Sequence, residues 1–279
     1  MKNNFTIGND FTVNRLGYGA MRITGTGVWG QPANKPEAIK VLQRAVELGV
    51  DFIDTADSYG PNVSEELIAE ALHPYKKGLV IATKGGFMRT GPNQWTINSH
   101  PDHLKEALDG SLKRLKVEQI DLYQLHRIDP KVPFEDSLAF LAKAQKEGKI
   151  KHIGLSEVSI EEIKTAQKHI KVVSVQNKYS IDFRKWEDEL EYCGNNNIAF
   201  IPWNPIQAGH LGDAGPLKEI ADKHNASVNQ IALSWLLHHS PNILLIPGTS
   251  QVKHLEENIA ARDIKLSADD MKVLEGIGG

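Results

Sequence analysis

The chain has 279 residues, 41% of them hydrophobic, which is enough for a substantial core in one large domain or two small ones. Its 32 Lys+Arg against 35 Asp+Glu leave it near neutrality, and no basic run is interleaved with aromatics, so nucleic acid is not an expected partner. The single cysteine, Cys193, has no partner for an internal disulfide, and Met1-Lys2-Asn3-Asn4 leads into no apolar stretch long enough for a signal peptide or a membrane span. The expectation is a cytoplasmic protein with no membrane partner and no evident obligate protein partner.

In chain order, Phe5-Thr6-Ile7 and Phe11-Thr12-Val13 flank the turn-rich Gly8-Asn9-Asp10 and read as an N-terminal β-hairpin. From residue 35 onward, short apolar runs rich in β-branched residues alternate with longer segments of helical period, roughly eight times. The expected strands are Leu16 to Ala20, Val50 to Asp54, Leu79 to Lys84, Ile120 to Leu125, Ile150 to Leu155, Val172 to Gln176, Ile198 to Pro202 and Ile243 to Pro247. Between them, Pro36 to Leu48 carries an apolar stripe at Ile39, Leu42, Ala45 and Val46, with Gly49 where a helix would stop. Similar stripes recur in Ser64 to Leu72, His103 to Leu115, Phe134 to Lys146, Ile160 to His169, Asp188 to Cys193 and Val228 to Leu237.

No linker rich in Pro, Gly or Ser divides the chain, so residues 1–279 read as one domain. The fold class expected is α/β, a (β/α)8 TIM barrel whose floor the N-terminal hairpin plugs. A doubly wound open sheet is the alternative, because alternation of strands and helices does not report closure. Its fingerprint, Gly-x-Gly-x-x-Gly after the first strand, is met only partly by Gly17-Tyr18-Gly19 and Gly25-Thr26-Gly27, which lack the third glycine and open no helix.

In such a barrel the chemistry lies at the C-terminal ends of the strands. There Val50-Asp51-Phe52-Ile53-Asp54 ends in a carboxylate, with Tyr59 on the loop that follows. Leu79 to Lys84 ends in an ammonium and Ile120 to His126 in an imidazole. Taken singly, each has an ordinary reading: Asp54 as a helix N-cap, Tyr59 as loop packing, Lys84 as a solvated charge, His126 as a hydrogen-bonded loop residue. Together they suit hydride transfer to a carbonyl. Tyr59 would protonate the developing alkoxide, Lys84 would favour the ionised phenol, Asp54 would hold Lys84, and His126 would bond the carbonyl oxygen.

On these residues the chain resembles the aldo-keto reductases. The similarity runs from Leu16-Gly17-Tyr18-Gly19 to Ile246-Pro247-Gly248-Thr249 and on through His254-Leu255-Glu256-Glu257-Asn258, nearly the whole chain. The resemblance implies a catalytic tetrad of Asp54, Tyr59, Lys84 and His126, carried by Asp-Thr-Ala-x-x-Tyr-Gly, a Thr-Lys strand end and a Leu-His strand end. It also implies a nicotinamide dinucleotide, since no side chain supplies a hydride.

By motif position, Ser156 and Gln176 would hold the nicotinamide carboxamide, and Trp203, followed by Asn204, would stack on the ring. Gly248, Thr249, Ser250, Gln251, His254, Glu257 and Asn258 would form the remainder of the cofactor site, with phosphate at a helix N-terminus beginning near Val252. Three positions depart from the family pattern: Gly248 stands where lysine is common, His254 where an arginine often grips the 2′-phosphate, and Glu157 where asparagine is common. NADPH is the cofactor the resemblance favours, with NADH as second candidate, and no metal is called for.

Tyr18, Met21, Trp29 and Phe87 are the expected lining of the substrate pocket, suited to an aromatic or mid-sized aldehyde. The bacterial pyridoxal reductase branch is the most similar in look, which makes pyridoxal the leading named substrate. Two other function classes fit parts of the pattern: a nicotinamide-sensing binding module like the reductase-like subunits of potassium channels, and a phosphate-binding barrel isomerase or lyase. The intact tetrad argues against the first, and the pairing of Tyr59 with Lys84 against the second.

Overall fold

Short buried strands run parallel around the centre of the computed structural model, which describes residues 3–206, 211 and 215–277. Met1 and Lys2 of the N-terminal tetrad lie outside the described residues. Strands β1 (Asn4–Ile7) and β2 (Phe11–Asn14) pair antiparallel as the expected hairpin. Then come β3 (Tyr18–Gly19), β4 (Phe52–Asp54) and β5 (Val80–Gly85), followed by β6 (Phe87–Gly91) and β7 (Gln94–Ile97). The remaining strands are β8 (Ile120–Leu125), β9 (Ile150–Ser156), β10 (Val172–Gln176) and β11 (Ala199–Phe200).

The main sheet has seven strands in the order β11-β10-β9-β8-β5-β4-β3. The eighth expected strand, Ile243 to Pro247, forms no extended ladder, yet it bonds to both edges of that sheet. Leu244 N donates to Phe200 O and Phe200 N to Asn242 O, each at 2.9 Å, while Gly17 N donates to Leu245 O and Leu245 N to Arg15 O, each at 2.8 Å. An open doubly wound sheet leaves its edges apart, so these bonds exclude it. The first expected strand is shorter than Leu16 to Ala20, because the chain turns at Ala20 into a 3-10 helix, Ala20–Ile23.

Alternation along the strands sorts the core into two parts. Phe52, Val80, Ala82, Leu122, Ala199, Ile201, Leu244 and Ile246 point inward, and Ile7 and Val13 of the hairpin join them from below, closing the floor. The other faces meet the helices. These are α1 (Lys35–Glu47), α2 (Val63–Leu72), α3 (Pro101–Leu115), α4 (Phe134–Lys146), α5 (Ile160–Gln167), α6 (Glu187–Asn195), α7 (Pro216–Lys223), α8 (Val228–His239), α9 (Val252–Ala260) and α10 (Ala268–Glu275).

Local chemistry sets the helix ends. Ser159 with Glu162, Ser227 with Gln230 and Ser267 with Asp270 form capping boxes that satisfy orphan N–H groups of α5, α8 and α10. Gly49, at φ +87°, stops α1 where the sequence places the stop. The buried stripe of α1 is Ala38, Val41, Leu42 and Ala45, with Ile39 and Val46 at its margins, because α1 packs against both α2 and α9 rather than against the sheet alone. No helix of the described residues is long and apolar enough to cross a membrane.

Candidate active site

The inward alternation that builds the core also delivers the polar residues. Two positions beyond inward Phe52 stands Asp54, two beyond Ala82 stands Lys84, and beyond Leu122 come Gln124 and then His126. Strand register sets their heights: Gly19 lies beside Asp54, Asp54 beside Ala82, and Lys84 beside Gln124. Gly154, between Gln124 and Ser174, must lack a side chain, since a Cβ there would sit 2.1 Å from Ser174 Oγ.

Lys84 is fully buried, and Asp54, Tyr59 and His126 are nearly so. Lys84 Nζ donates to Asp54 Oδ1 at 2.5 Å, to Thr55 O at 2.8 Å and to Tyr59 OH at 3.5 Å. The other carboxylate oxygen, Asp54 Oδ2, accepts from Gln124 Nε2 at 3.0 Å and from Gln176 Nε2 at 2.9 Å. Asp54 caps no helix; the N-cap of α2 is Asn62. Ser156 likewise leaves the start of α5 to Ser159 and donates instead to Gln176 O at 2.8 Å.

Burial pulls the Lys84 ammonium toward deprotonation, but Asp54 and Tyr59 together outweigh it, so Lys84 titrates above an ordinary lysine and stays charged. Burial pushes the Tyr59 phenol up, Lys84 pulls it down, and burial wins. This reverses the net direction expected from Lys84 alone: the phenol is fully protonated at neutral pH. Burial first, then the charges of Lys84 and Arg127, hold His126 well below the ordinary histidine range, so its imidazole is neutral. Its Nδ1 has no hydrogen-bond partner among the described residues.

These groups face a cavity of about 520 Å³ whose lining includes Asp54, Tyr59 and His126 together with Ser156, Gln176, Trp203, Asn204 and Gly248. Met21 and Phe87 line it as expected, but Tyr18 and Trp29 do not. Tyr18 is wholly buried and donates to Thr249 O at 2.5 Å, because its side chain turns outward from the strand into the layer under the helices. Trp29 is half-buried at the rim, where its backbone bridges Gly60 and the Arg89 guanidinium sits 5.8 Å from its ring.

The pair β6–β7, absent from the strand expectations, brings Asn93 and Trp95 to the cavity instead. Arg89 ties this hairpin down, donating to Gln94 O, Val28 O and Ser58 O, each at 2.8 Å, and lying 3.6 Å from the Trp95 ring. The turn signal Gly91-Pro92-Asn93 was available in the sequence. Two further residues were missed: Gln124, legible as a polar residue on the inward face of an apolar strand, and Arg127, legible as a cation next to His126.

Of the other expected cofactor residues, Thr249 and Asn258 are buried, Glu257 is half-buried, and Ser250, Gln251 and His254 are exposed. Gly19 and Gly248 touch closely enough that a Cβ on Gly248 would come within 2.7 Å of Gly19 O. At the start of α9, Val252 N donates to Glu37 Oε1 at 3.2 Å, so a carboxylate already faces the helix end where phosphate is expected.

Against known proteins, the sequence pattern of the Aldo/keto reductase family matches residues 15–278. An uncharacterized oxidoreductase of Schizosaccharomyces pombe is 52% identical over 270 residues, covering 96% of this chain and 88% of the relative. The pyridoxine 4-dehydrogenase of Escherichia coli is 41% identical over 281 residues, covering 99% of this chain and 98% of the relative. Among solved structures, an aldo-keto reductase from Klebsiella pneumoniae in complex with NADPH superposes with a TM-score of 0.83 at 25% identity, over 99% of this chain and 94% of that one.

Proposed function

The chain belongs to the aldo/keto reductase family, and on that premise we propose that it reduces a small aldehyde or ketone to the alcohol with NADPH, as one barrel domain working in the cytoplasm. The observation that carries this reading is the buried line from Asp54 through Lys84 to the Tyr59 hydroxyl, opening onto a cavity beside a neutral His126.

The residues present fit the dinucleotide. Ser156, Gln176, Trp203, Asn204 and Gly248 all line the cavity. Gln176 spends its N–H on Asp54, which leaves its carbonyl oxygen as an acceptor for the carboxamide. Gly248, Thr249, Ser250, Gln251, His254, Glu257 and Asn258 follow as the phosphate and adenosine end. When bound, the nicotinamide supplies the hydride that no side chain can.

The chain's own groups then do the rest. Tyr59 holds a proton at its oxygen at neutral pH and releases it to the forming alkoxide. As the proton leaves, the phenolate gains from the Lys84 ammonium already pointed at it, while Asp54 keeps that ammonium charged and in place. The neutral imidazole of His126 offers one N–H to the carbonyl oxygen and orients it. Met21, Phe87 and Trp95 supply an apolar wall suited to an aromatic or mid-sized substrate. Pyridoxal is the leading named candidate, supported by the similarity to a pyridoxine 4-dehydrogenase.

The test is to mix purified protein with NADPH or NADH, add pyridoxal or benzaldehyde, and follow absorbance loss, with Tyr59→Phe alongside. Consumption of NADPH that Tyr59→Phe abolishes is the expected result. Binding of both cofactors with no carbonyl reduced would favour a nicotinamide-sensing module instead.

A further inference from the structure

Arg127 directly follows His126 at the end of β8, and its guanidinium borders the cavity. Among the described residues only Nη1 is used: it donates to His126 O at 2.6 Å and to Ser156 Oγ at 2.9 Å. The guanidinium carbon lies 5.4 Å from the Phe87 ring centroid and 5.9 Å from that of Trp203. Burial lowers its hold on the proton, and Glu157 is the acid that most opposes this. Yet Glu157 forms no ion pair with it; Glu157 Oε1 accepts from Lys178 N and Trp203 Nε1, each at 2.6 Å. Among the described residues no carboxylate oxygen lies within 4.0 Å of the guanidinium.

A partly buried cation between two aromatic rings without a counter-ion among the described residues is poorly compensated. Lys84, by contrast, is paired with Asp54. Among the described residues nothing takes the Nε and Nη2 of Arg127, which is the fork that grips a carboxylate or phosphate by two bonds. Its neighbours set the fork where substrate meets nicotinamide: Phe87 and His126 face the substrate in the reaction above, Ser156 and Trp203 are assigned to the nicotinamide, and the cofactor phosphates are assigned farther off, to the segment from Gly248 to His254.

We propose that Arg127 is a specificity-determining residue that recognises an anionic oxygen group on the carbonyl substrate, so that the preferred substrates are acidic aldehydes or ketones rather than neutral ones. The proposal rests on the reductase reading and deepens it. The carboxylate or phosphate meets the guanidinium while the carbonyl lies at His126 and Tyr59. Two fixed points along one molecule then set its orientation before hydride arrives.

The experiment compares kcat/KM for 4-carboxybenzaldehyde, 4-formylphenyl phosphate and the neutral 4-formylbenzamide in the wild type, Arg127→Met and Arg127→Lys. The wild type is expected to prefer an anionic aldehyde over the amide, carboxylate against phosphate deciding which anion the site takes. Arg127→Met should cut that preference about 100-fold, mostly through KM, with Arg127→Lys keeping part of it. An unchanged ratio, an equal loss on the neutral amide, or a loss traced to weaker NADPH binding by fluorescence would each overturn the proposal.

A second readout separates this from failure of the reductase reading: binding of benzoate, phenyl phosphate and benzamide to protein loaded with NADP+. If no aldehyde is reduced but benzoate or phenyl phosphate binds in preference to benzamide, and only with Arg127 present, the anion site stands and the reaction is another. If neither anion outbinds benzamide, the site is refuted whatever the protein catalyses. Arg127→Lys, which keeps the charge, serves if Arg127→Met does not fold.

Discussion

Replacing Lys84 by methionine strikes a fully buried charge at the centre of the candidate site. The side chain is fully buried and Asp54, its ion-pair partner at 2.5 Å, is 2% exposed. Methionine fills most of the volume but leaves the Asp54 carboxylate facing only the amides of Gln124 and Gln176. Breaking a buried pair by removing one partner costs about 3–5 kcal/mol, because the remaining charge stays out of water. For a chain of this size about 2 °C is lost per kcal/mol, so Lys84→Met should melt roughly 6–10 °C below the wild type. Adding Asp54→Asn removes the stranded charge, and the double variant should recover at least about half of that loss. Calorimetry or circular dichroism on the two single variants, the double variant and the wild type closes the cycle. Reductase activity should be lost in all three variants, so stability and chemistry separate. A Lys84→Met melting point within a degree of wild type, or a double variant no better than that single one, would refute the picture of a desolvated, mutually dependent pair.

Because Tyr59 titrates above an ordinary tyrosine, carbonyl reduction should hold through neutral pH and fall only on the alkaline side; Tyr59→Phe should lose at least about 100-fold in kcat with NADPH binding kept. A rate that falls already below pH 8 would count against Tyr59 as the donor. His239 bridges Glu187 at 2.7 Å and Glu275 at 2.8 Å; burial lowers its pKa, but the two acids raise it further, to a net upward shift. A raised folded-state pKa means its stabilisation is complete below the unfolded value of about 6.5 and is lost as pH climbs through the higher folded value. Melting temperature should therefore drop more between pH 6 and 9 in the wild type than in His239→Gln, and equal slopes would remove His239 from the account. Glu37 faces the start of α9, where the 2′-phosphate is assigned, so Glu37→Gln should tighten NADPH relative to NADH roughly 2- to 5-fold by fluorescence titration. An unchanged ratio would place the phosphate elsewhere.

Periodicity and punctuation were enough to read most of the architecture from the chain. Runs buried on both faces, such as Val80-Ile81-Ala82-Thr83, announce parallel strands, and Gly49 or Ser159 mark helix ends through purely local chemistry. The placement of three of the proposed site residues was legible for the same reason. A period of two puts Asp54, Lys84 and His126 on the inward face at strand ends, and a polar residue there has few structural uses. What local rules cannot give is which atoms meet across strands distant in sequence. That Gln176 spends its amide on Asp54, 122 positions away, depends on strand register. Tyr18 turned outward to Thr249, and the cavity took Trp95 from a hairpin instead. The sign of the Tyr59 shift was likewise a tertiary matter: the charge of Lys84 can be read from the sequence, but desolvation belongs to the whole assembled shell and outweighs it. Arg127 shows the same division, since its charge is written in the chain while its lack of a carboxylate partner among the described residues is decided only by what folds around it.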